Sequence, residues 1–145
     1  MSTSDTRALR PRPVPDDLSR PFWDGVADHK LVIQRCRDCQ TYVHPPYPEC
    51  TSCRSSDLNF EPVSGRGVIF ERVIVASPVV VGFEDDVPYA CLVIELEEQP
   101  ELLVAGNLDG AKSPYDATIG HPVEVTFKED VDGFTLPYFR LTGGS

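Results

Sequence analysis

No stretch of this 145-residue chain approaches the roughly 20 consecutive apolar residues that a membrane-spanning helix needs. Its opening, MSTSDTRALRPRPVPDD, also lacks the apolar segment of a secretory signal. It is polar, partly basic and rich in proline. The expectation is a cytoplasmic protein with no membrane partner and a flexible leader over residues 1–15. Basic residues are scarce as well, with 13 Lys/Arg against 23 Asp/Glu for a net charge of -10. Residues 1–60 hold eight of each sign. Residues 61–145 hold five basic and fifteen acidic residues, so the whole excess of 10 lies there. Binding nucleic acid needs a basic face to neutralise phosphates, which this second part does not offer. Its acid reads first as a solvated surface that keeps the chain soluble.

Catalytic motifs are missing too. The chain has no Gly-x-Ser-x-Gly elbow, no phosphate-binding loop and no dinucleotide fingerprint. SGRG, from Ser64 to Gly67, reads as a turn or bend entering a strand rather than a phosphate cradle. His29, His44 and His121 fall in separate segments. The chain is therefore not expected to be catalytic alone.

What is present is a concentration of cysteine. CRDCQTYVHPPYPECTSC holds Cys36, Cys39, Cys50 and Cys53, four of the five cysteines, as two Cys-x-x-Cys pairs ten residues apart. Disulfides do not suit a chain without an export signal. A thioredoxin-like site uses one such pair in a βαβ setting, which is not found here. Two tight cysteine turns that converge make a tetrahedron of thiolates, the ligand set of a zinc ribbon, with iron as the rubredoxin-like variant. Four thiolates leave no open position on the metal, so its expected role is structural. His44, between the pairs, is expected beside the site rather than on the metal. An empty, reduced ribbon held by its neighbour is the ordinary alternative.

The elements around the ribbon follow from periodicity. Leu18, Phe22 and Val26 recur every four residues and predict a helix over residues 16–30, with Asp16, Asp17 and Ser19 as capping residues and Pro21 in the first turn. Residues 31–60 form the ribbon. Residues 61–145 contain five β-rich segments, at 67–75, 89–96, 102–108, 122–128 and 135–140, separated by turn residues. The predicted class is mainly β: an N-terminal helix, a ribbon, then a five-stranded barrel of the OB type. Cys91, in the middle of a strand, reads as a small buried apolar residue.

The segments PFWDG, LVIQRCRDCQ, HPPYPECTSC, SGRGVIFERVIV, VPYACLVIEL, IGHPVEVTF and LPYFR, in this order, resemble a family of zinc-ribbon and OB-fold proteins once catalogued as a domain of unknown function. The resemblance runs from about Pro21 to Arg140. It implies an accessory subunit of thiolase-superfamily enzymes acting on acyl-CoA, including acyltransferases and the aldolases that shorten steroid side chains. It also implies a heteromer, of α2β2 type if the partner is a dimer, and a shared site for a CoA ester. Two surfaces would serve a partner: Phe22 with Trp23 on the helix, and Val80 with Phe83 in the apolar loop from Ser77 to Phe83. That loop could equally pack beneath the barrel. The cluster Arg35, Arg37 and Arg54, with Lys30 close in sequence, suits the phosphates of CoA. The plainer reading of these cations is that they balance the thiolates and nearby acids. The competing functional readings are a stand-alone OB module for acyl-CoA and a single-stranded nucleic-acid binder, which would need stacking aromatics in a basic groove.

Overall fold

The computed structural model describes residues 10–129 and 133–143. The elements in chain order are α1 (Arg20–Ala27), β1 (Val32–Cys36), β2 (Tyr42–Val43), β3 (Leu58–Pro62), β4 (Arg66–Val75), β5 (Tyr89–Leu96), β6 (Leu103–Asp109), a 3-10 turn (Pro114–Asp116), β7 (Pro122–Glu129) and β8 (Thr135–Leu141). The class is the expected one: mainly β, a single short helix, a ribbon and an OB barrel.

The helix is shorter than residues 16–30. Asp16 and Ser19 close a turn on each other before it starts, each side chain accepting the other's backbone N–H, at 2.8 and 3.1 Å. Helix then begins at Arg20, with Pro21 in its first turn, where a missing N–H costs nothing. It stops because His29 takes a left-handed conformation, φ 60. The His29 N–H returns to the Val26 carbonyl at 2.9 Å and the Lys30 N–H to Gly25 at 2.8 Å, a Schellman closure with histidine in glycine's usual place. Phe22 and Val26 point inward as the spacing requires.

The ribbon is a three-stranded antiparallel sheet ordered β2-β1-β3. The barrel closes in the order β4-β5-β6-β8-β7, antiparallel throughout except for the parallel pair β6 and β8. Strand β5 alternates strictly, with Ala90, Leu92, Ile94 and Leu96 inside. A bulge between Ile69 and Glu71 bends β4 around the barrel. SGRG is a turn and a close approach: Gly65 has φ +80, and a Cβ on Gly67 would lie 2.2 Å from the Glu95 carbonyl oxygen. Cys91 is half-buried on β5 rather than enclosed, and burial pushes its thiol up.

One core joins these parts. Phe22 and Val26 of α1, Leu31 and Ile33 beside the ribbon, and the inward residues of the barrel form a single buried cluster. The cysteine end has its own small cluster of Cys36, Val43 and Cys50, with Leu58 against it. The first nine residues of the expected leader lie outside the described residues, but Arg10, the next residue of that leader, is docked. Its Nε donates to the Gly82 carbonyl at 2.7 Å and its guanidinium pairs with Asp86. Among the described residues no helix is long and apolar enough to cross a membrane.

Candidate metal centre and its surroundings

The two cysteine turns have the same construction. The Gln40 N–H returns to the Cys36 carbonyl at 3.0 Å and the Arg54 N–H to Cys50 at 2.9 Å. Gln40 and Arg54, each just after its pair, are left-handed at φ 68 and 67. Backbone N–H groups point at the sulfurs, from Cys39 to Cys36 Sγ at 3.5 Å and from Ser52 to Cys50 Sγ at 3.3 Å. This geometry swings both thiols of each pair to one side.

The four sulfurs meet. Cys36 and Cys53 are 3.6 Å apart, Cys39 and Cys50 are 3.5 Å apart, and all four lie within 4.8 Å of one another. Four thiolates about 2.3 Å from one ion would stand about 3.8 Å apart, so the cluster fits a tetrahedral metal. Electrostatics agree. The Thr41 hydroxyl and backbone beside Cys39 hold its thiol down at about 6. The Ser55 backbone N–H also favours the Cys53 thiolate, yet Cys39, desolvation and the other two sulfurs push that thiol up to about 12. A cation would offset the repulsion that keeps the Cys53 thiol protonated, and the set is poised to bind one. His44 lies off the cluster. Its ring packs on Phe22 at 5.2 Å, and burial pulls it down to about 4, so it stands neutral.

Two glutamines that sequence reasoning passed over hold the ribbon in place. Gln34 is 4% exposed, and its amide pairs with both backbone groups of Tyr47, at 2.8 and 2.9 Å, fixing the proline-rich turn between the cysteine pairs. Gln99 does the same for Tyr42 from the barrel side. A polar residue inside the apolar strand LVIQRC was the available signal for Gln34. Nothing local marks Gln99.

The remaining expected residues are dispersed. Arg35 donates to the Gln40 carbonyl at 2.8 Å, pairs with Glu61 at 3.2 Å and lies over the Tyr42 ring. Arg37 pairs with Asp57 at 3.5 Å. Only Arg54 of the three has no side-chain partner among the described residues. Phe22 is 5% exposed and sits in the chain's own core, so it is not an exposed anchor, and the helix that carries it lies against β1 and β8. Trp23 is half-buried between Phe22 and Phe134, at 5.0 and 5.7 Å. In the apolar loop, Val80 and Phe83 are half-buried, while Val79 and Val81 are 77% and 55% exposed.

A tetracysteine ribbon joined through one core to a five-stranded OB barrel defines the class of the molecule. Residues 23–59 match the family described as ChsH2, rubredoxin-like zinc ribbon domain, and residues 60–128 match ChsH2, C-terminal OB-fold domain. The chain belongs to this ChsH2 family, of the DUF35 type. It is 39% identical over 130 residues to the 3-oxo-4,17-pregnadiene-20-carboxyl-CoA hydratase alpha subunit of Mycobacterium tuberculosis, and 35% identical over 134 residues to the probable enoyl-CoA hydratase alpha subunit of Thermomonospora curvata. These alignments cover 81% and 92% of the chain but only 40% of each relative. A DUF35 domain-containing scaffold protein of Methanocaldococcus jannaschii is 34% identical over 80% of the chain and 83% of its own length. Among solved structures, a chain of the Ltp2-ChsH2(DUF35) aldolase superposes with a TM-score of 0.80 at 32% identity, over 90% of this chain and 98% of that one. A DUF35 protein of Sulfolobus solfataricus, TM-score 0.62 at 13% identity over 86% and 85%, shares the fold.

Proposed function

We propose that this chain is an accessory subunit of an enzyme acting on acyl-CoA, and that a thiolase-superfamily partner carries the reacting residues. The observation that carries this reading is the nearly end-to-end likeness to a chain of the Ltp2-ChsH2(DUF35) aldolase, whose name joins a second component. The names of the two hydratase alpha subunits bring acyl-CoA to the proposal. The scaffold relative, which spans little beyond this chain, supports a supporting rather than a reacting role.

In this reading zinc fills the ribbon, held by Cys36, Cys39, Cys50 and Cys53. It supplies a cross-link and no reaction chemistry, because four thiolates close its coordination sphere. The cross-link stiffens a lobe whose own cluster is only four residues deep. Gln34 then fixes the turn within that lobe, Gln99 fixes the lobe on the barrel, and Arg54 is the cation left to meet a CoA phosphate. Protein and CoA ester meet in a shared site, in a heteromer with the partner.

The test is recovery of the tagged chain from its native cells, followed by mass spectrometry and sizing. A thiolase-superfamily protein in near-equal amount is the expected result. A monomer that brings no such protein would overturn the reading, and titration with CoA esters would then test a stand-alone module.

A further inference from the structure

The outer face of the barrel carries a groove of about 390 Å³ between the β4–β5 loop and the β7–β8 side. Phe83 and Tyr89, 5.3 Å apart, form one wall. Tyr138 forms another, with the Lys128 ammonium 4.9 Å from its ring centre. Asn107, Leu108 and Leu136 also line it.

The groove already holds one guanidinium, from the chain's own leader. Arg10 lies over the Phe83 ring at 4.0 Å, donates to the Gly82 carbonyl and pairs with Asp86. An aromatic face, a carbonyl and a carboxylate are the three groups that recognise arginine. Both cations of the groove are matched within the chain, Arg10 by Asp86 and Lys128 by Asp109. Glu129 at the groove and Asp85 on the loop are exposed and have no partner among the described residues. The surplus charge is therefore negative, in keeping with the net -10 of residues 61–145. The same loop presents Val79 and Val81 to solvent, at 77% and 55% exposure.

We infer that this groove is the docking surface for the partner subunit, and that its occupant is a segment placing arginine or lysine in the aromatic, acidic groove and apolar side chains on Val79 and Val81. The inference rests on the accessory-subunit reading. Charge complementarity selects the occupant: a phosphate-rich ligand meets the wrong sign here, and a basic protein segment meets the right one. Rings and valines supply area, while the carboxylates supply orientation and encounter rate.

The test titrates the recovered thiolase-superfamily partner against the full chain and two variants of equal charge change per site, at low and high salt. In Asp85→Lys/Glu129→Lys the affinity falls by about tenfold or more, and its salt dependence weakens. In Glu49→Lys, on the ribbon, binding is unchanged. Far-ultraviolet circular dichroism and metal content check that both variants fold. Equal binding by wild type and the groove variant overturns the docking surface and leaves the accessory reading standing. A recovered protein that binds neither overturns both. As a second probe, Val79→Ser/Val81→Ser keeps the charge and lowers affinity with the salt dependence intact. No loss in that variant overturns the apolar half of the surface.

Discussion

Gln99, between β5 and β6, grips the backbone of Tyr42 in the ribbon from both sides. The Tyr42 N–H donates to Gln99 Oε1 at 2.9 Å, and Gln99 Nε2 donates to the Tyr42 carbonyl at 3.1 Å. One side-chain amide thus does for the two-residue strand β2 what a neighbouring strand would do. Replacing it by Leu leaves both backbone groups unpaired where they are half-buried, at a cost of about 1–3 kcal/mol. The ribbon of Gln99→Leu should exchange its amides and lose metal to a chelator faster, with barrel strands β5 and β6 still protected. Unchanged exchange in the ribbon would show that the core alone holds it.

Metal binding should depend on each of the four sulfurs. Cys39→Ser is expected to purify with little or no zinc, measured by inductively coupled plasma mass spectrometry. Because the cysteine end has its own small cluster and the barrel a separate large one, loss of metal should loosen residues around the cysteine turns and leave the barrel folded. A variant that keeps stoichiometric metal would exclude tetrathiolate binding.

His44 gives the fold an acid sensitivity. Burial lowers it from 6.5 to about 4 in the folded chain, so the folded state stays neutral where the unfolded state has taken up a proton. The stabilisation is complete above the unfolded value and is lost as pH falls toward the folded one. Over the window from about 6.5 to about 4 the loss amounts to roughly 3 kcal/mol. His44→Gln should flatten that part of the stability profile, read by denaturant unfolding at several pH values. An unchanged slope would place the acid sensitivity elsewhere.

Phe22 is a core residue, so its truncation acts on stability. Phe22→Ala should cost about 3–5 kcal/mol, through lost burial and the cavity between α1 and the barrel. Trp23→Ala, at a half-buried position, should cost less. Thermal melts of the isolated chain decide this, and equal small effects from both would contradict the packing.

The parts legible in the sequence are those whose signal is local. Two Cys-x-x-Cys turns declare their convergence because each needs only its own few residues. The five barrel strands show themselves as β-rich runs between turn residues, and all five fall within a residue of the structure at both ends. Spacing alone overextends the helix because Leu18 continues the apolar pattern. The Asp16–Ser19 turn and the left-handed His29 override that spacing, and both are backbone events that hydrophobic periodicity does not register.

What only the tertiary structure decided is which residues face one another across long separations. Gln99 and Tyr42 are 57 positions apart, and Arg10 and Gly82 are 72 apart. Phe22 looked like a surface anchor because an amphipathic stripe shows that a face is buried and not what buries it. The arginines looked like a cluster because they are close in sequence, yet Arg35 and Arg37 are taken up by Glu61 and Asp57 on another strand and turn. Spacing along the chain determined the metal ligands and the strands, since turn and pleat geometry act over a few residues. Packing of the barrel and its joining to the ribbon determined the core, the Gln99 grip and the groove, since those contacts exist only once distant segments have been brought side by side.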